Sequence, residues 1–453
     1  MVKDLDKSRP QAGGYEKGEH TQSKQPKKTK QQLACEYIRE NYLDFGSLRY
    51  DLIADKLQVR KAHSLEDASL QNAPERLQLR GSEYWRYLTN CDINTIVCDA
   101  AQYYDVNISN KEVLTALHSH LIPRVHPLRE YIHSLPPYKP ESGDWIDMLA
   151  RQVVLKYPDS STEEERQCLD ERWRVCFKKW FVAMVASWMN DDVVNQAVLV
   201  LIGRQGCYKT TWLENLIPTH LRDYECKLAN TAQLGKDDRL RIAEFGLINL
   251  DELDAMSPRE LNAMKSLVTA KDVNERAAYA YVKERKVRLA SFCASSNKRE
   301  FLTDQTGNRR WLPFEVQDIQ NPFHTILPYD LIYAQAWALV QEGFNYWFDH
   351  EDISVLEEHN EDFRIQDSEE QLLPILFDIP AEGKGEFMTA AQISERLVSF
   401  GNIKSPMHPS RLGVILSKLG FPKKKHGKMR ISGYMVYQLS GDEIEANKKP
   451  SNV

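Results

Sequence analysis

The residues with the plainest chemistry lie in AVLVLIGRQGCYKTTWLENLIP, Ala197 to Pro218. Lys209 brings a full positive charge and Thr210 a hydroxyl, directly after a loop that holds Gly203 and Gly206. Such a set can cradle a nucleoside triphosphate. Loop and helix amides meet phosphate oxygens, the lysine answers the β and γ charges, and the threonine hydroxyl meets a magnesium ion. The candidate nucleotide-binding residues are Gly203, Arg204, Gln205, Gly206, Cys207, Tyr208, Lys209, Thr210 and Thr211. The pattern is imperfect. G-x-x-x-x-G-K-[ST] wants glycine directly before the lysine, and here Tyr208 stands there with Gly206 two residues earlier. A glycine-containing turn in an ordinary α/β domain is the competing reading, so the partner motifs must decide.

Three partners follow. EFGLINLDELDAMS (Glu244 to Ser257) puts Asp251 and Glu252 after an apolar run. Asp251 can hold the magnesium, directly or through water, and Glu252 can polarise the water that attacks the γ-phosphate. Acidic pairs after strands also serve as helix caps. A further apolar run, Val287 to Ala294, leads into Ser295, Ser296 and Asn297, whose amide can reach between the carboxylates and the γ-phosphate. TGNRRWLPFEV (Thr306 to Val316) then offers Arg309 and Arg310, and a guanidinium suits the charge spread over a transferring phosphoryl group. An Arg-Arg pair alone would be read as solvated surface. The order lysine, Asp-Glu, Asn, Arg-Arg is hard to obtain by accident.

Strands must position these groups. Ala197 to Ile202 and Phe245 to Leu250 are short, fully apolar runs, as expected of parallel strands covered on both faces. Carboxylates at the C-terminal end of such a strand face the crevice where ligands bind.

The run from Ala197 to Val316 resembles the motor core of superfamily 3 helicases, a branch of the AAA+ ATPases. More narrowly it resembles the virulence-associated E family of phages, pathogenicity islands and integrated elements. The resemblance rests on GRQGCYKTT, on INLDEL, on GNRRWLPFEV and on the stretch from Leu261 to Asn297. In that stretch Lys265, Asp272, Arg276 and Tyr279 fall where the family has its K…D…R…Y motif. The resemblance implies ATP and Mg2+ as cofactors, with Lys209, Thr210, Asp251, Glu252 and Asn297 as ATPase residues. It makes Arg309 or Arg310 an arginine finger supplied to a neighbouring subunit. Tyr208 is the departure from the pattern.

Composition limits the alternatives. The chain has 453 residues, enough for about three domains. It is 42% hydrophobic and 27% charged, with no apolar run of about 18 residues to suggest a membrane span. The N-terminus lacks a secretory apolar core, which leads to the expectation of a cytoplasmic protein. Eight cysteines form no C-x-x-C pair, so zinc ribbons and disulfide frameworks have little support. His118 and His120 read as surface residues. The net charge of −6 does not advertise nucleic-acid binding, but distribution matters more than the sum.

The expected fold class is α/β. A P-loop AAA+ core is flanked by a helical collar, an N-terminal accessory α/β domain and a C-terminal winged helix. Residues 1–32 form a basic, polar tail expected to be disordered, whose KQPKKTK could touch a phosphate backbone or simply keep the chain soluble. Residues 33–124 read as the accessory domain, with a helix at Ala34–Tyr42, a hairpin over Leu48–Arg60 and helices over Ser82–Val106 and Ser109–Ile122. No carboxylate and histidine set there supports a primase. Residues 125–192 form the collar, with Trp173, Phe177, Phe181, Val185 and Met189 at helical spacing. The motor covers 193–345 and ends in a lid helix, an acidic helical connector covers 346–380, and the winged helix covers 381–445.

Two basic features point to DNA. In the C-terminal piece two helices precede a hairpin, PKKKHGKMRISGYMVYQL, a winged-helix order. Arg411, Lys418, Lys423, Lys424, Lys425, Lys428 and Arg430 would face phosphates, against a protein-binding winged helix as the alternative. In the motor, AAYAYV and VRLA would pair across the turn Lys283 to Lys286. By the resemblance this hairpin lines a pore and grips single-stranded DNA through Lys283, Arg285 and Lys286. Tyr279 or Tyr281 would stack on a base or serve as hairpin core. An arginine finger in trans implies a head-to-tail ring, most simply a hexamer on single-stranded or forked DNA, with a separate primase or replication protein as a further partner. The sequence-level expectation is a replicative helicase of a phage or integrated element. The alternative is an ATP-gated DNA-binding or assembly protein without significant turnover.

Overall fold

The computed structural model describes residues 28–61, 84–228, 236–274, 285–302, 308–381, 385–404, 406–426, 430–441 and 443–444. Contacts divide the chain into two compact units, 1–126 and 127–453.

In the first unit, α1 (Lys30–Ile38) opens with a capping box between Thr29 and Gln32. Strands β1 (Leu48–Asp51) and β2 (Lys56–Lys61) pair antiparallel, the hairpin that their alternation predicts. The helix expected over Ser82–Val106 is only partly there. Its first part is strand β3 (Tyr84–Tyr87), paired with β2, and α2 (Asn90–Tyr104) starts after the Thr89 cap. The sequence YWRY is aromatic-rich, which favours an extended, sheet-packed chain over a helix turn. With α3 (Asn110–Leu117) and β4 (Arg124–Val125), the sheet reads β3-β2-β1-β4. Leu48 and Leu57 of the sheet bury against Ala34, Ile38, Ile96, Val113 and Leu117 of the helices.

The second unit begins with α4 (Pro127–Ser134), α5 (Trp145–Ala150), β5 (Val153–Leu155) and α6 (Glu163–Met189). The Thr162 cap and three glutamates in the first turn of α6 suit the positive end of its dipole. Then come β6 (Val198–Ile202), α7 (Lys209–Glu214), β7 (Glu225–Leu228), α8 (Lys236–Glu244), β8 (Leu247–Leu250) and α9 (Pro258–Thr269). Next are β9 (Asp272–Val273), β10 (Lys286–Val287), β11 (Ser291–Ser296) and β12 (Trp311–Ile319). The sheet order is β5-β12-β6-β11-β8-β7. All neighbours are parallel except β5, which runs antiparallel to β12.

Helix α6, the main helix of the expected collar, packs on one face of this sheet. Trp180 Nε1 donates to Phe292 O at 3.0 Å and Trp188 Nε1 to Gly246 O at 3.1 Å, so buried indoles satisfy their one polar atom on sheet backbone. On the opposite face Val198, Val200, Ile248, Leu250, Phe292 and Ala294 pack against Leu240, Leu261, Met264 and Leu267 of α8 and α9. Buried on both sides, β6, β8 and β11 have no exposed position.

The strand expected over Val287–Ala294 is shifted. It runs Ser291–Ser296, while Lys286–Val287 pairs antiparallel with Asp272–Val273. Within VRLA only Val287 lies in that short strand, and Arg288 to Ala290 belong to no strand. The reason is Arg288, 2% exposed, whose guanidinium donates to Ala290 O at 2.9 Å, Asn195 O at 2.8 Å and the Val268 carbonyl at the end of α9. The AAYAYV arm lies outside the described residues.

After the sheet come α10 (Tyr329–Gln341), α11 (His350–Glu361) and α12 (Ser368–Leu376). The C-terminal part holds β13 (Phe377–Asp378), β14 (Glu386–Met388), α13 (Ala390–Gly401), α14 (Pro409–Lys418), β15 (Lys423–His426) and β16 (Ile431–Gln438). β16 pairs antiparallel with β13, β14 and β15. Ile393 and Leu397 of α13 and Leu412, Ile415 and Leu416 of α14 bury against Tyr434 and Val436. No helix among the described residues is long and apolar enough to cross a membrane.

Candidate nucleotide and nucleic-acid sites

Because β6, β11, β8 and β7 are parallel neighbours, their C-terminal ends share one edge. The loop after β6, Asn297 after β11 and Asp251 after β8 all emerge there. Gly203 sits where β12 passes closest: a Cβ would lie 2.6 Å from Val316 O. Gly206 turns with φ +88°, a conformation glycine adopts freely. Tyr208 takes φ 62° as the residue capping α7. The left-handed turn usually given to glycine is present, carried by a tyrosine.

Lys209 is 6% exposed. Its Nζ donates to the carbonyls of Gly203 and Arg204, both at 2.8 Å, and to Asn297 Oδ1 at 3.3 Å. The ammonium thus lies inside the loop's curve with the candidate sensor amide beside it. Arg204, Gln205 and Gly206 are exposed around it, Cys207 is buried and Thr211 is half-buried.

Thr210 Oγ1 donates to Asp251 Oδ1 at 3.0 Å, and Ser295 Oγ donates to the same oxygen at 2.8 Å. Lys227 Nζ holds the other oxygen, Oδ2, at 3.0 Å. Burial works against the charge, yet the bonds from Ser295, Lys227 and Thr210 hold the Asp251 carboxyl below the usual carboxylate range. Thr210 and Asp251 are hard oxygen donors that fit Mg2+. No group of three His, Cys, Asp or Glu side chains that could hold a metal occurs among the described residues, so the ion's remaining positions would fall to phosphates and water.

Sequence reasoning missed Ser295, Lys227 and Asp254. Asp254 Oδ1 accepts from the Asn297 backbone amide at 3.2 Å and from Ser296 Oγ at 3.5 Å. It therefore sets the turn that aims Asn297. The polar pair at the end of β11 was a visible signal for Ser295. Lys227 gave none, since its role needs β7 to lie beside β8. Glu252 follows Asp251 with φ 55° and is exposed.

The arginines sit elsewhere. Trp311 pairs with Val198 and Glu315 with Ile202, so Arg309 and Arg310 precede the far end of β12. Four residues of strand, about 13 Å, separate that end from the phosphate loop. Asn360 of α11 fixes their turn through Asn308 O at 2.8 Å and Trp311 O at 3.0 Å. Arg309 is exposed, while burial and then the neighbouring Arg309 charge lower the pKa of Arg310.

Of the residues expected to touch DNA, Lys283 and Lys428 lie outside the described residues, as do Arg276, Tyr279 and Tyr281. Arg285 pairs with Asp272 at 2.7 Å, and Lys286 lies 3.9 Å from Glu244. Arg411 pairs with Asp367 and Lys418 with Glu361, each at 2.7 Å. These face the acidic connector. Lys423, Lys424 and Lys425 on β15 and Arg430 at its turn are exposed.

Residues 164–365 match the family model of the virulence-associated protein E-like domain. This stretch is a virulence-associated E-like domain. It contains every site residue from Gly203 to Arg310 and agrees with the resemblance seen in the sequence, while the C-terminal hairpin lies beyond it. No curated protein matches the chain. Among solved structures, an apo structure of the C-terminal region of NrS-1 (its A form, 305–718) has a TM-score of 0.41 at 10% identity, covering 88% of this chain and 98% of that one. A second apo structure of that region has a TM-score of 0.40 at 11% identity, covering 87% of this chain and 97% of that one. Likenesses that remote decide neither fold nor activity.

Proposed function

We propose that the virulence-associated E-like domain is a P-loop ATPase motor of the AAA+ type, working as a ring-forming DNA helicase or translocase in the replication of a phage or integrated element. One observation carries the reading. Lys209, Thr210, Asp251 and Asn297, from three adjacent parallel strands, converge within hydrogen-bonding distance at one sheet edge. A triphosphate entering the loop offers Lys209 oxygens in place of the Gly203 and Arg204 carbonyls. Thr210 and Asp251 would hold Mg2+, which would supply neutralisation of the phosphate charge. Glu252 takes a proton from the attacking water, and Asn297, held by Asp254, orients the γ-phosphate.

Arg309 and Arg310 are too far along β12 to serve the loop of their own chain, which supports their use by a neighbouring copy and hence a ring. Exposed Lys423, Lys424 and Lys425 support a winged helix that holds DNA phosphates. Phosphate release by the full chain, with and without single-stranded DNA, tests the proposal. Lys209→Ala and Glu252→Gln are expected to abolish it. No release, or release unchanged in both variants, rejects the ATPase reading. The left-handed turn at Tyr208 favours a second reading, an ATP-gated assembly protein, which would bind ATP without releasing phosphate.

A further inference from the structure

Tyr208 is the one residue of the phosphate loop that breaks its pattern, and it has a specific neighbour. Its ring meets that of Phe323 edge-to-face, with centroids 6.2 Å apart. A left-handed backbone is costly for a side chain as large as tyrosine, and residues kept in such a state cluster where ligands are held. Phe323 lies in the segment joining β12 to α10, at 60% exposure, and Ile326 three residues on is 72% exposed. Phe323 thus presents a large apolar side chain to water beside the phosphate loop.

The segment is built, not loose. Asn321 Oδ1 accepts from the Phe323 amide at 2.9 Å, and Asn321 O accepts from Thr325 Oγ1 at 3.0 Å. Beyond it, Tyr329 donates to Asn215 O at 2.7 Å and Tyr333 to Leu216 O at 2.8 Å. These bonds tie α10 to the residues that end α7, so the helix carrying Lys209 also fixes the aromatic segment.

We propose that Tyr208 and Phe323 form the nucleobase site of the nucleotide whose phosphates Lys209 and Thr210 hold. The assignment rests on the phosphate-loop reading above. A nucleoside triphosphate has a charged end and a flat, largely apolar end joined by a sugar. The chain offers a cation and, one residue before it, an aromatic shelf. Stacking reads a π-face and not an edge pattern of donors and acceptors, so the site takes nucleoside triphosphates with little choice between ATP and GTP.

Calorimetry on the full chain with ATP and with inorganic tripolyphosphate, which has no base, separates the two ends. Phe323 is exposed, so Phe323→Ala leaves the fold intact. It is expected to weaken ATP roughly tenfold, the loss of one stacked base, while tripolyphosphate binding is unchanged. ATP affinity unchanged in Phe323→Ala, or both ligands weakened together, overturns the base site while leaving the phosphate loop standing. A native chain that binds neither ligand overturns the phosphate-loop reading and this site with it.

Discussion

Lys227 Nζ lies 3.0 Å from Asp251 Oδ2 and 3.4 Å from Glu214 Oε1. An ammonium therefore already sits on the carboxylate assigned to the metal, with a second carboxylate to receive it when a divalent ion arrives. A partly exposed ion pair contributes about 0.2–1 kcal/mol. Lys227→Ala should accordingly lower the Mg2+ concentration needed for nucleotide binding, by up to about fivefold. A Mg2+ titration of fluorescent-nucleotide binding reads this directly, and an unmoved midpoint would show that Lys227 does not compete with the metal.

Glu225, on the same strand, is pushed up to about 7, first by burial and then by Glu214. One of its oxygens is buried without a hydrogen bond among the described residues. Between the ordinary value of 4.5 and about 7 the folded chain binds the extra proton. Stability from this group therefore falls as pH rises through that window. Glu225→Gln should flatten that slope and raise Tm by about 1–3 °C at pH 8. Thermal melts from pH 5 to pH 8 test it, and a variant that parallels the native slope would contradict it.

Arg288 is fully buried against carbonyls, and burial pulls its pKa down to about 9, so it remains charged at neutral pH. Arg288→Met would leave the carbonyls at the end of α9 without donors. Unsatisfied buried groups of this kind should make the loss about 3 kcal/mol or more in urea unfolding. A loss under about 1 kcal/mol would mean that water replaces the guanidinium at little cost.

If Arg309 and Arg310 act on a neighbour, two inactive chains should complement each other. Arg309→Ala/Arg310→Ala keeps its own phosphate loop, and Lys209→Ala keeps its arginines. Mixed in equal amounts, they should regain a measurable fraction of phosphate release that neither shows alone. Additive, inactive mixtures would place the arginines outside the reaction.

The C-terminal basic residues divide by partner. Lys423, Lys424 and Lys425 are exposed, whereas Arg411 is paired with Asp367. Removing the three lysines should reduce the slope of log affinity for duplex DNA against log salt by about 2–3. Arg411→Ala should change it little, and Asp367→Asn should tighten binding by freeing the arginine. A salt slope that ignores the lysines and follows Arg411 would move the DNA face to α14.

The chain's own order of residues determined the strand-to-loop units of the motor: an apolar run ending in Gly203, another ending in Asp251, a third ending in Asn297. Each such unit is local, since apolar runs and the residues at their ends are contiguous. The boundary of β11 was misread because Arg288 and Leu289 look like strand residues until α9 supplies carbonyls for the guanidinium. YWRY was absorbed into the helix after it because only pairing with β2 holds it extended. Strand order was decided by tertiary structure alone. It put β11 between β6 and β8, which brings Ser295 and Asn297 to Thr210, Lys209 and Asp251. It also brought Lys227 alongside and sent the arginine pair to the opposite edge. Parallel pairing joins residues far apart in the chain, so no local pattern carries that information; it follows from which buried faces α6, α8 and α9 can cover together.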